Sequence, residues 1–148
     1  MTAVGRRVFP VQGRPLPLRR RVQLAGEILT VYRRARRLMH SVNLAEALAA
    51  LRQVDPAVPA GATPDQQRFA AVRLGRAVVL VLALLPTDRR CLVRSLVLSC
   101  LLARRGIPAL LVLGVRPDGD QPFVAHAWVE YDGQAVTPDE GYNRLHAL

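Results

Sequence analysis

The chain has 148 residues, 51 % of them hydrophobic, which is enough for one compact domain with a core and too few for us to expect a second. Its net charge of +10 comes from 21 arginines against 11 acids, and the chain has no lysine. Residues 41–148 carry a net charge of only +1, so we do not expect the main body of the protein to bind nucleic acid. The longest apolar run, Ala77–Leu85, is far short of the roughly 20 residues that span a bilayer, and no secretory signal pattern precedes it. We therefore expect a cytoplasmic protein with no membrane segment.

The first 40 residues hold ten arginines against one acid. Prolines and glycines among the arginines disfavour regular structure in residues 1–20, which we predict to be a basic tail or strap. Apolar residues at helical spacing predict an amphipathic helix over Val22–His40. Its arginine face, with Arg33 and Arg37, is either a solvated surface or a contact for an acidic partner.

Two further helices are predicted before the cysteines. Ser41 is a plausible cap for a short helix, Val42–Val54, which a linker containing proline and glycine follows. The pair Thr63–Pro64 predicts the start of a helix that runs to about Leu85. The later half of that helix is apolar all round, which predicts burial on every side.

A fourth helix, roughly Arg89–Arg105, carries both cysteines. Thr87–Asp88 precedes it as a cap, and a Gly-Ile-Pro sequence closes it. Cys91 and Cys100 are nine residues apart, a rise of about 13 Å in a helix, which excludes a disulfide between them.

Strand patterns occupy the end of the chain. The predicted strands are Ala109–Val115, Phe123–Tyr131 and Gln134 to about Pro138. Helices first and an antiparallel sheet last indicate an α+β domain. Within one compact unit, we assign residues 21–62 to a helical amino-terminal part and residues 63–148 to the functional core.

The chemistry is expected at Cys91, because unpaired N–H groups and the dipole at a helix amino terminus favour a thiolate. Cys100 is predicted to be an inert buried thiol in the middle of the same helix. Ser95 lies one turn after Cys91 on the same face, and either replaces it as nucleophile or serves as an orienting or capping hydroxyl.

A base for this thiol is expected on the next hairpin. The turn Asp132–Gly133 sets Tyr131 opposite Gln134, so the same register places His126 opposite Asp139 on one face of the sheet. Such a carboxylate would orient the imidazole of an activated nucleophile. Pro138 lacks a donor and could end the ladder, which leaves Glu140 as the substitute.

Other side chains are also candidates for the site. Trp128 shares the His126 face, as a cover for the imidazole or the substrate groove, or as a plain core residue. The cysteines and the three scattered histidines lack the spacing of metal ligands, and no glycine-rich phosphate loop is present, so we expect neither a metal nor a cofactor.

The ordered motifs resemble a known family. They are Cys91-Leu-Val-Arg-Ser-Leu-Val-Leu, Leu101-Leu-Ala-Arg-Arg-Gly-Ile-Pro108, Leu113-Gly-Val, Ala125-His-Ala-Trp-Val-Glu130 and Asp132-Gly133. Over about residues 86–140 they resemble the transglutaminase-like cysteine peptidases that remove the leader from lasso peptide precursors. The resemblance implies Cys91 as nucleophile, His126 as base and Asp139 as acid.

The resemblance also implies partners. The family acts on a precursor peptide with a threonine near the end of its leader, together with an ATP-dependent macrocyclase. Because the first 85 residues read as helices, the chain is similar to the stand-alone peptidase half, which needs a separate leader-recognition protein. Two alternatives stay open: another thiol acyl-transfer enzyme, and a non-catalytic module whose basic helix binds nucleic acid or an acidic protein.

Overall fold

We describe the fold from a computed structural model, in which the described residues are 15–53, 62–86, 90–118, 121–139 and 141–148. Most of the predicted tail, the linker before Thr63, the Thr87–Asp88 cap and Glu140 lie outside the described residues. The α+β class is confirmed.

The described residues form four helices followed by four strands. The helices are α1 (Leu18–Ser41), α2 (Leu44–Arg52), α3 (Pro64–Ala83) and α4 (Arg90–Arg104). The strands are β1 (Leu110–Asp118), β2 (Gln121–Tyr131), β3 (Gln134–Ala135) and β4 (Asn143–Ala147).

Helix α1 begins earlier than the sequence pattern predicts. It starts directly after Pro17, so residues 18–20 are helical and do not belong to an irregular tail. Its buried stripe consists of Ile28, Val31, Tyr32 and Ala35. Ser41 ends α1 and its hydroxyl donates to the Arg37 carbonyl, so the prediction that Ser41 caps the next helix is wrong.

Capping boxes define the starts of α2 and α3. Asn43 caps α2: its side chain accepts from the Glu46 amide, and the Glu46 carboxylate accepts from the Asn43 amide. Thr63 and Gln66 make the equivalent reciprocal pair at the start of α3, with Pro64 in the first turn as predicted. Each box satisfies two amides that a helix start leaves without partners.

The end of α3 is less buried than its sequence predicts. Leu74, Val78 and Leu82 lie in the core, whereas Leu80 is 71 % exposed and Leu84 is 85 % exposed. The prediction of burial on every side is therefore wrong, because only one face of α3 has a neighbouring layer among the described residues.

Helix α4 is the centre of the core. Its residues 95–102 are all buried, and α1, α2, α3 and β2 pack around it. It ends as predicted at Gly106, whose φ of 66° suits glycine. The Ile107 amide donates to the Leu102 carbonyl and the Gly106 amide to the Ala103 carbonyl, the two bonds of a Schellman end.

The antiparallel sheet has the order β3-β2-β1-β4. The hairpin register is the predicted one, with Tyr131 opposite Gln134. Strand β4, which the sequence analysis missed, pairs with the other edge of β1. Among the described residues, no helix is long and apolar enough to cross a membrane.

Candidate active site

Cys91 is the second residue of α4 and is half-buried. The predicted position at a helix start is therefore found. The first amides of a helix have no intrahelical acceptors, so they are available to stabilise negative charge there. Both cysteines are free, and no disulfide joins them.

The His126 imidazole is held from the turn after β3. Its Nε2 lies 3.0 Å from the carbonyl oxygen of Pro138. A carbonyl can only accept, so Nε2 carries the proton that it donates to Pro138. In the neutral ring, Nδ1 is then the nitrogen with a free lone pair. One tautomer of the imidazole is thus selected by a backbone group.

Aromatic rings fix the orientation of the imidazole. The Tyr142 ring stacks on His126 at a centroid distance of 4.8 Å and an interplanar angle of 27°. The Arg116 guanidinium lies over the Tyr142 ring, 4.6 Å from its centroid. Trp128 is near-parallel to His126 at 6.1 Å. Sequence reasoning missed Tyr142, whose place depends on the turn that precedes β4.

Asp139 does not face His126 across a ladder. The Val136 amide donates to the Val129 carbonyl, but the Val129 amide then donates to the Thr137 hydroxyl, and the backbone leaves the sheet. Pro138 has no amide with which to resume the pairing. The predicted strand to Pro138 is therefore too long, and the opposition of His126 and Asp139 does not form.

The Asp139 carboxylate instead organises a turn. Its Oδ1 accepts from the Gly141 amide at 3.2 Å, and its backbone carbonyl accepts from the Tyr142 amide at 3.0 Å. Gly141 has a φ of 73°, a conformation that suits glycine. Pro138 and Tyr142, which both contact His126, lie on either side of this turn.

Cys91 and His126 lie on neighbouring elements without a direct bond. Helix α4 packs on β2, and the chain leaves α4 to enter β1 at Leu110, opposite Glu130 near the end of β2. By strand alternation with Val129 and Tyr131, the His126 side chain lies on the face of β2 that faces away from α4. Among the described contacts, no hydrogen bond joins the Cys91 thiol to the imidazole. Catalytic hydrogen bonds are often long before substrate binds.

The faces of β2 differ in their surroundings. Val129 and Tyr131 pack in the helical core, while His126, Trp128 and Glu130 alternate with them on the other face. Trp128 is buried there, and its indole N–H donates to the Glu130 carboxylate, which also pairs with Arg144. Trp128 thus has a packing role beside the imidazole.

The remaining candidate residues differ in how exposed their side chains are to solvent. Ser95 is only 1 % exposed, so its hydroxyl is inside the core. Cys100 is fully buried and its thiol donates to the Leu51 carbonyl at 3.1 Å. Burial raises the pKa of the Cys100 thiol, although Arg104 and Arg34 partly oppose this. Arg33 and Arg37 are exposed on α1, away from the imidazole in sequence and on another element.

No group of three or more potential metal ligands occurs within the described part of the chain. A half-buried cysteine at a helix start and an oriented histidine on a strand are the two kinds of side chain that a thiol enzyme uses. The sequence matches the family model of the transglutaminase-like superfamily over residues 28–148, so the chain belongs to that superfamily. Its members are generally cysteine-based enzymes. We found no match among curated proteins or among solved structures.

Proposed function

We propose that this protein is a cysteine peptidase that removes the leader from a ribosomally made precursor peptide during lasso peptide maturation. The observation that carries the thiol chemistry is the His126 imidazole, held by Pro138 and Tyr142 in a single tautomer with Nδ1 free. The narrower assignment to leader removal rests on the ordered motifs around Cys91 and His126.

The reaction proceeds through an acyl-enzyme. Nδ1 of His126 takes the proton of Cys91 once the thiol on α4 and the imidazole, which start on opposite sides of β2, are brought within hydrogen-bond distance. The Cys91 sulfur attacks the scissile carbonyl, and the C–N bond breaks as the imidazolium gives its proton to the leaving amine. Water then attacks the thioester, and the freed carboxylic acid leaves with the thiol restored. The Cys91 amide is one donor to the developing oxyanion.

In this scheme, Asp139 is the third residue of the site and acts indirectly, by holding the turn that contains Gly141. Its carboxylate holds the Gly141 amide and so keeps the Pro138 carbonyl and the Tyr142 ring against His126. The precursor peptide, a separate leader-recognition protein and an ATP-dependent macrocyclase are the proposed partners, and the cytoplasm is the proposed location.

The thiol chemistry is tested by alkylation with iodoacetamide at neutral pH, read at each cysteine by peptide mass mapping. An ordinary cysteine is only a few per cent ionised at pH 7, so we expect Cys91 to react about tenfold faster in the native protein than in His126→Ala. Cys100 is the internal control, because its fully buried thiol should stay unmodified until the protein unfolds. Equal Cys91 rates in both proteins would contradict a catalytic pair.

Leader removal is tested by incubation with a precursor peptide and its recognition protein, followed by mass spectrometry. We expect cleavage into two fragments with the addition of one water, and no cleavage by Cys91→Ala. Added hydroxylamine should trap the acyl group as a hydroxamate. Amine incorporation without hydrolysis would instead assign the chain to the thiol acyl-transferases.

A further inference from the structure

An open cleft of about 390 Å³ lies on the carboxyl-terminal half of α1. We define this arginine cleft by its lining residues, which are Tyr32, Arg33, Arg36, Arg37 and His40. The spacing of these residues places them on adjoining rows of one helix face. Tyr32 is buried, whereas the three arginines and His40 are exposed.

One arginine of the cleft is already oriented. The Arg36 guanidinium donates to the Tyr32 hydroxyl at 3.4 Å and lies over the Tyr32 ring, 5.8 Å from its centroid. Cation–π contact and a hydrogen bond restrict the rotamers of this long side chain. A planar guanidinium that is held in place is suited to bidentate binding of a carboxylate.

The charge of the cleft has no internal counterion among the described residues. None of the three ion pairs there involves Arg33, Arg36 or Arg37. The nearby acids are committed elsewhere, because Glu27 pairs with Arg105 at 2.8 Å and Glu46 caps α2. Like charges three and four residues apart repel each other, so an anionic ligand would relieve this repulsion.

Helix stability alone does not account for the cluster. Cations interact favourably with the dipole only within the last turn of a helix, and α1 ends at Ser41. His40 lies in that turn, whereas Arg33 is two turns before the end. The arginines therefore cost repulsion without the compensation that a helix end provides.

The arrangement of charge favours a peptide over nucleic acid. After Arg21, the next arginine of α1 is Arg33, twelve positions and about 18 Å further along the helix. The cleft is thus a compact group of cations, not a continuous stripe along a phosphate backbone. Residues 41–148 carry a net charge of only +1, so this group of cations is not part of a generally basic body.

The arginine cleft is on a helix that packs directly against α4, the helix that carries Cys91. Glu27 of α1 forms an ion pair with Arg105, which directly follows α4, so these two parts of the helices lie side by side. Helix α1 therefore belongs to the same packed layer as the helix that carries Cys91.

From these observations, we propose that the arginine cleft binds an acidic segment of the polypeptide substrate while another part of that substrate reaches Cys91. This inference rests on the proposed function for the identity of the ligand as a substrate. The binding itself requires no catalysis, so the two can fail separately.

The test measures binding of fluorescein-labelled hexaglutamate to Cys91→Ala protein by anisotropy, at about 0.15 M ionic strength, where exposed charges are screened beyond about 8 Å. Labelled hexaglutamine is the uncharged control peptide. The variant Arg33→Gln/Arg36→Gln/Arg37→Gln should bind hexaglutamate roughly tenfold more weakly, because three exposed ion pairs are lost together.

A matched variant, Arg19→Gln/Arg20→Gln/Arg21→Gln, removes the same charge from the other end of the same helix. It should change the affinity less than about twofold, because the cleft stays intact. Thermal melts of both variants verify that α1 remains folded.

Equal losses in the two triple variants would overturn the proposal, since general attraction would then explain the binding. Tighter binding of a thymidine hexanucleotide than of hexaglutamate would assign the cleft to nucleic acid instead. Cleft-dependent hexaglutamate binding without Cys91-dependent turnover of any peptide would support the cleft and contradict the peptidase assignment. Peptide turnover without hexaglutamate binding would support the peptidase assignment and contradict the proposed role of the arginine cleft.

Discussion

Asp139 contacts its own turn and not the histidine that it was predicted to orient. A direct triad acid acts through its charge, and trypsin-type enzymes lose about 10⁴-fold in rate when that acid becomes an amide. In this structure, the Asp139 carboxylate needs only to accept from the Gly141 amide. An asparagine side chain can accept the same hydrogen bond.

We therefore expect Asp139→Asn to leave the alkylation rate of Cys91 within about twofold of native, while Asp139→Ala lowers it by up to about tenfold. The alanine variant loses the turn that holds Pro138 and Tyr142 against the imidazole. The measurement is the rate at Cys91 as a function of pH, with Cys100 as the control for unfolding. A large loss in Asp139→Asn would restore the direct role of the carboxylate.

At the level of elements, the sheet depends on close packing between β1 and its two neighbours. Gly114 lies opposite His126 on β2 and opposite Arg144 on β4. A Cβ at Gly114 would lie 2.6 Å from the Trp128 ring and 2.6 Å from the Asn143 carbonyl oxygen. The absence of a side chain at Gly114 leaves room for the Trp128 ring beside β1.

We expect Gly114→Ala to lower the free energy of unfolding by about 1–3 kcal/mol, because the ring or β4 must move. Gly26→Ala is the matched control: Gly26 is in the middle of α1 and a Cβ there meets nothing within 4 Å. Removal of a helix glycine should stabilise the protein by about 0.5–1 kcal/mol. Urea denaturation measures both, and equal effects of the two substitutions would contradict the packing explanation.

At the scale of the whole molecule, Arg52 joins the helices to the sheet. One Arg52 nitrogen, Nη2, donates to the Ala109 carbonyl at 3.1 Å and to the Leu148 carbonyl at 3.3 Å. Leu148 also exchanges two backbone hydrogen bonds with Leu111 at the start of β1. Burial lowers the pKa of Arg52, but the guanidinium remains charged at neutral pH.

Replacement of Arg52 by methionine should reduce the free energy of unfolding by about 1–2 kcal/mol, since two carbonyls lose a charged donor. Arg52→Lys keeps the charge and one possible donor direction, so we expect it to recover part of that loss. Both values come from urea denaturation, with circular dichroism as the signal. If the methionine variant is as stable as the native protein, the link between the layers contributes nothing.

The parts of the fold that depend on local chemistry were predictable. Thr63 with Pro64 and the Gly106 end of α4 act through backbone amides and carbonyls within a few residues, so their sequence signals were read correctly. The Asp132–Gly133 turn likewise fixed the register of β2 and β3. Cys91 and His126 were placed by the same reasoning, on a helix start and an alternating strand.

Sequence by itself indicated the four helices, the first three strands, the hairpin register, and a candidate thiol and imidazole, because these follow from periodicity and short-range hydrogen bonds. Tertiary structure decided what a residue faces. The Thr137 hydroxyl took the place of a ladder bond, so Pro138 and not Asp139 met the imidazole. Strand β4 and Tyr142 found their places through a distant strand edge, and Leu80 and Leu84 were left exposed. Such outcomes depend on which surfaces meet in space, which local patterns do not encode.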